Sequence, residues 1–112
     1  MDPIEASQLI TDEYSAKILI ATFKRKLSAQ ELSERCGIPI AACYRKIKML
    51  IESGLLEEVD RILTRKGKRK SRYVSRLKSA LIFYEGGKLK VRFELNTGIV
   101  QEFGSDAFDA QI

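Results

Sequence analysis

Apolar residues recur at helical spacing through the first half of the chain and alternate with polar ones through the second. Asp2, Pro3 and Glu5 give a start signal for a short helix over about Pro3 to Ile10, since Asp caps and Pro suits the first helical position. Thr11 and Asp12 offer a second cap. Behind them Tyr14, Ile18, Leu19, Ile20, Ala21 and Phe23 make a wide apolar face, which predicts a buried helix of about twelve residues. Lys24, Arg25 and Lys26 close it where the helix dipole favours cations.

Ser28 with Glu31 three positions later is a capping box, opening a helix to about Cys36 that shows Leu32 and Cys36 on one side. Gly37 supplies the left-handed turn that ends it, Ile38 packs under the corner, and Pro39 is pre-set for the next helix. That helix, residues 39–53, stops at Gly54. Its apolar side is Ile40, Cys43, Ile47, Leu50 and Ile51, and its other side collects Ala41, Ala42, Arg45, Lys48, Met49 and Glu52. Two helices joined by a short glycine turn form a helix-turn-helix unit.

Beyond Gly54 the period falls to two. Leu55 to Leu63 reads as a strand and Arg72 to Leu77 as its antiparallel partner, with residues 64–71 as a polar hairpin tip. Residues 79–85 and 88–95 flank Gly86-Gly87, the two-residue connection of a primed turn, which sets Glu85 opposite Lys88, Tyr84 opposite Leu89, Ile82 opposite Val91 and Ala80 opposite Phe93. Asn96-Thr97-Gly98 is a second turn, and Ile99 to Phe103 can add a third strand. The acidic tail, residues 104–112, is expected to be mobile.

Charge sharpens this outline. The 112 residues carry a net +5, but residues 61–78 hold nine cations and no acid, leaving 11 Lys and Arg against 15 Asp and Glu and a net −4 elsewhere. So dense a basic segment repels itself until an anion relieves it. The chain has no His, the commonest general base and metal ligand, and Cys36 and Cys43 cannot close a zinc site without added carboxylates. Both cysteines read as small core residues, with a redox role a minor alternative. No carboxylate pair or activated nucleophile is readable, and Lys66-Gly67-Lys68 lacks the strand and glycine spacing of a phosphate loop. Neither an enzyme nor a bound cofactor or metal is expected. The acidic N-terminus is unlike a signal peptide and no apolar run suits a membrane span, which points to a soluble, intracellular protein.

The order of short capped helix, Gly37-Ile38-Pro39 corner, Tyr44-Arg45-Lys46-Ile47-Lys48-Met49-Leu50 helix, Gly54-Leu55 exit and basic hairpin resembles the winged helix-turn-helix transcription regulators of bacteria and archaea, especially the ArsR-like group. The resemblance spans residues 10–78. It implies an α+β fold: a winged helix-turn-helix DNA-binding domain over residues 1–78, extended by a C-terminal β-hairpin over 79–103. Two departures stand out. The cysteine-rich motif of metal-sensing members is absent, and the chain ends in strands where many members have a dimerising helix.

The resemblance implies a sequence-specific regulator of prokaryotic type on double-stranded DNA, located in the cytoplasm at the nucleoid. The 39–53 helix would lie in the major groove. Ala41 and Ala42 permit close approach, and Arg45 has the forked donors that suit guanine. Ser28, Tyr44, Lys46 and Lys48 would meet phosphates. The tip would act as the wing on the backbone or minor groove through Arg65, Lys66, Lys68, Arg69, Lys70 and Arg72. Roughly five neutralised phosphates per protomer give a salt slope of about −4 to −5. One helix and one wing cover a half-site, so a homodimer is expected. The apolar face of the terminal hairpin, Ile82, Tyr84, Leu89, Val91 and Phe93, either packs on the first helices or pairs with a second copy. The main alternative function is a winged protein-interaction module of a transcription or nucleic-acid assembly. RNA binding is a lesser one, with Tyr73 the only aromatic in the basic patch for base stacking.

Overall fold

The computed structural model describes residues 1–104; most of the acidic tail, including any expectation of its mobility, lies outside them. Four helices and six strands follow one another as α1 (Pro3–Thr11), α2 (Glu13–Ala21), β1 (Leu27–Ser28), α3 (Ala29–Cys36), α4 (Ile40–Glu52), β2 (Leu56–Leu63), β3 (Arg69–Ser75), β4 (Leu77–Glu85), β5 (Lys88–Leu95) and β6 (Val100–Phe103). This is the expected α+β class. The elements fall into two compact units, Glu13–Arg76 and a second made of Met1–Asp12 with the described residues from Leu77 to Gly104.

In the Glu13–Arg76 unit the local signals act as anticipated. Ser28 Oγ accepts from Glu31 N at 3.1 Å while Glu31 Oε1 accepts from Ser28 N at 3.2 Å, closing the capping box. Gly37 sits in the left-handed region at φ 66°, and nothing crowds its missing Cβ, so its requirement is conformational. Ile38 N bonds to Ser33 O at 3.1 Å, the Ser33 hydroxyl donates to Ile38 O, and the Ile38 side chain is buried. The core joins Ile18, Leu32, Ile38, Cys43, Leu50 and Leu55, all at most 1% exposed. At 25 cal/mol per Å² such side chains supply about 1.5 to 3 kcal/mol each before conformational entropy is set against it.

Two expectations in this unit need correction, and one strand is added to them. The α2 helix has nine residues, and Ile20 and Phe23 lie outside the core at 77% and 52% exposure, because the helix ends at Ala21 and the buried side of the turn is taken by Thr22, whose hydroxyl bonds to Ile18 O. The β3 strand starts at Arg69, three residues before Arg72, so the hairpin tip shortens to Thr64–Lys68, closed by Thr64 N to Lys68 O at 2.8 Å. The sequence pattern does not signal the two-residue strand Leu27–Ser28; it pairs with β3 as Leu27 to Tyr73 and Ser28 to Arg72, giving the order β1-β3-β2.

The other unit is a three-stranded antiparallel sheet in the order β4-β5-β6, with α1 packed on β5. Its register is the one the Gly86-Gly87 turn dictates: Glu85 to Lys88, Tyr84 to Leu89, Ile82 to Val91 and Ala80 to Phe93. Both glycines have positive φ, 58° and 76°, as a primed turn demands. Leu89, Val91, Phe93 and Leu95 alternate into the core, and the Phe93 ring packs on Phe103 with centroids 5.3 Å apart. The α1 helix therefore belongs with the terminal strands and not with the helix-turn-helix, contrary to a division at residue 78. Its Ala6 and Leu9 are buried, and Asp12, extended at ψ 131°, breaks the chain before α2.

Candidate nucleic-acid interface

The exposed side of α4 follows from its amphipathic pattern. Cys43, Ile47 and Leu50 are turned into the core, which leaves Ala41, Tyr44, Arg45 and Lys48 exposed and Ala42 and Lys46 half-buried. Lys46 has an interaction of its own. Ile40 and Ile51, expected on the apolar side, are 45% and 38% exposed because they stand at the margins of the stripe.

Beside this helix lies an open groove of about 550 Å³. One wall is the start of α3, with Ser28, Ala29 and Gln30, and Tyr44 of α4; the other is the β2–β3 hairpin from Thr64 to Ser71, with Tyr73. The antiparallel β1–β3 pairing brings the α3 start to the hairpin, so the groove depends on the short strand that carries no signal in the sequence pattern.

The hairpin's cations fall into two groups. Arg72 donates from Nε to Asp60 Oδ1 at 2.8 Å and from Nη2 to Oδ2 at 2.6 Å, and Lys26 Nζ lies 3.6 Å from the same carboxylate. Arg61 bonds to Glu58 at 2.8 Å, Lys70 lies 3.9 Å from Glu31, and Arg76 lies 3.9 Å from Glu57. Arg65, Lys66, Lys68 and Arg69 are exposed and have no carboxylate partner among the described residues; the same holds for Arg45 and Lys48. Of the six expected wing contacts, Arg72 is thus held by an acid across the sheet and Lys70 lies near an acid of α3. A bulge between Glu58 and Asp60 brings Asp60 opposite Arg72.

These pairs fix protonation. The Arg72 hydrogen bonds, with Lys26, hold the Asp60 carboxyl below its ordinary value, and the bonds to Asp60 raise the Arg72 guanidinium. Bonds from Arg61 and Ser71 lower Glu58. Burial pushes Glu31 up, but the Ser28 backbone and hydroxyl, with Lys70 and Arg35, outweigh it and the net direction is down.

Two other candidate residues, Ser28 and Tyr73, stand differently from expectation, while Cys43 takes the core place expected of it. Ser28 is 1% exposed with its hydroxyl committed to the cap, so a phosphate contact would have to displace a helix-capping bond. Tyr73 is 8% exposed, and burial is the main cause of its raised pKa; although it borders the groove, this residue is largely core and leaves little surface for stacking a splayed base. Cys43 is fully buried, its Sγ donating to Ala29 O at 3.4 Å, and burial followed by the neighbouring Cys36 pushes its thiol up. Gln30, Thr64 and Ser71 also line the groove, and sequence reasoning misses them because uncharged polar residues carry no signal until the groove brings them together. No group of three or more metal-ligating side chains occurs among the described residues, and none of their helices is long and apolar enough to cross a membrane.

Residues 10–59, from the end of α1 through the start of β2, match the family model of a helix-turn-helix domain. The match supports DNA as the partner and a regulatory role. No curated protein gives a significant match to the chain.

Proposed function

We propose that this protein is a sequence-specific regulator of transcription of the winged, ArsR-like kind, binding double-stranded DNA as a homodimer at the prokaryotic nucleoid. Residues 39–53 enter the major groove. Ala41 and Ala42 sit against base edges, and Arg45, one turn on, supplies a bidentate donor pair for guanine. Tyr44, Lys46 and Lys48 contact phosphates and set the register. The β2–β3 hairpin acts as the wing, with Arg65, Lys66, Lys68 and Arg69 on the backbone or in the minor groove; no enzymatic step is involved.

The observation that carries this reading is the grouping of unpaired cations. Arg45 and Lys48 on α4 and four cations at the hairpin tip, all without carboxylate partners among the described residues, accompany a groove that Tyr44 and the tip share. A surface evolved only for solubility has no reason to pair its sheet cations and leave its tip bare. The test is a gel shift on random duplex DNA at low salt, followed by selection and footprinting of bound fragments. A footprint of two symmetric half-sites one helical turn apart is expected. Absence of any shift would instead favour the protein-interaction module.

A further inference from the structure

The described sheets have four edges, and three are protected against pairing with another chain. The β1 edge is only two residues long, the β2 edge carries Glu57, Glu58, Asp60 and Arg61 with a bulge, and the four-residue β6 edge carries Gln101 and Glu102. The fourth edge, β4, has no such device. Its stretch Ser79-Ala-Leu-Ile-Phe-Tyr84 has no charge, Gly or Pro, and its one register shift lies at its start, between Leu77 and Ser79. Both its faces are open: Leu81 is 47% exposed, Ile82 41%, Phe83 37% and Tyr84 82%.

We infer that β4 is the dimerisation element, pairing antiparallel with β4 of a second copy to join two three-stranded sheets into one of six strands. The inference rests on the proposed function only for its homodimer. The occupant follows from the strand's own symmetry. A two-residue turn closes on a hydrogen-bonded pair, here Glu85 with Lys88, so alternation turns the N–H and C=O groups of Ala80, Ile82 and Tyr84 outward. A two-fold axis perpendicular to the sheet at Ile82 uses all three: Ile82 meets Ile82, and Ala80 meets Tyr84 twice. The same axis sets Leu81 against Phe83, small against large on one face and apolar against apolar on the other, and places Glu85 against Ser79 with no like charges opposed. A self-complementary strand of this kind fits a second copy, and an isologous contact is what a two-fold DNA reader needs.

The test uses sedimentation of the full chain without DNA, at about 50 µM, where a dimer of micromolar affinity is populated. Wild type is expected as a dimer, and Leu81→Lys/Phe83→Lys, which copies the protection of the other edges, as a monomer with an unchanged far-ultraviolet spectrum. Ile82→Cys in a Cys36→Ser background tests the pairing without relying on the double variant: mild oxidation should give a covalent dimer, while Leu63→Cys on the β2 edge should not. A monomeric wild type, a Lys variant that remains folded and dimeric, or no Ile82→Cys cross-link would each overturn the pairing. A Lys variant that is still a dimer leaves the homodimer standing by another surface. Failure of wild type to shift DNA would reject the proposed function while leaving β4 pairing intact.

Discussion

Arg72 grips Asp60 across the β2–β3 ladder with two hydrogen bonds, and Lys26 lies against the same carboxylate, so one acid restrains two cations beside the groove. The pair forms because Val59 bulges out of β2 and lets Asp60 stand opposite Arg72. Asp60 therefore acts as a brake on the basic face.

Replacing Asp60 by Asn should release that brake. Asp60→Asn is expected to tighten binding to random duplex DNA at low salt and to steepen the dependence of log K on log salt by about 1 to 2, the contribution of one or two further phosphate contacts. Fluorescence anisotropy across a salt series reads both effects. An unchanged slope would mean that Arg72 and Lys26 do not reach the DNA.

The four unpaired tip cations should dominate non-specific affinity. Changing Arg65, Lys66, Lys68 and Arg69 together to Gln should flatten the salt slope by about 3 to 4 per protomer, since each neutralised phosphate contributes roughly 0.9. The matched set Arg61, Lys70, Arg72 and Arg76, which face carboxylates, should flatten it by less. Equal losses from the two sets would refute the distinction between free and paired cations.

Specificity should separate from affinity on α4. Arg45→Ala is expected to cost about 1 to 3 kcal/mol on the selected site and to relax preference at one base position, whereas Lys48→Ala should weaken all sequences alike. Repeating the site selection with each variant checks this. A position-specific loss with Lys48→Ala would reverse the two roles.

Acid should unfold the protein through the same carboxylates. Glu31, Glu58 and Asp60 have folded pKa values below their ordinary ones, so at low pH the unfolded state binds more protons. Their contribution to stability is complete above about pH 4.5 and is lost as pH falls through the folded values. Urea midpoints should therefore drop below that pH, and Glu31→Gln with Glu58→Gln and Asp60→Asn should shrink the drop.

Chemistry confined to a few neighbouring residues is legible in the amino-acid sequence by itself. The Ser28–Glu31 box, the Gly37 corner and the Gly86-Gly87 turn each act within about four residues, and once the turn is set the β4–β5 register follows from Glu85 back to Ser79, because a strand's side chains alternate and leave one register that buries Val91 and Phe93. The basic segment is equally visible as a run of charge. Tertiary pairing decides what those charges can do. Asp60 reaches Arg72 and Glu31 comes near Lys70 only through the β2–β3 bulge and the β1–β3 pairing, contacts between residues 12 to 39 positions apart. The placement of α1 on β5 and the bareness of the β4 edge are likewise settled by long-range packing. An apolar strand reads the same in sequence whether a neighbour covers it or not, and only the fold shows which backbone donors and acceptors are already taken.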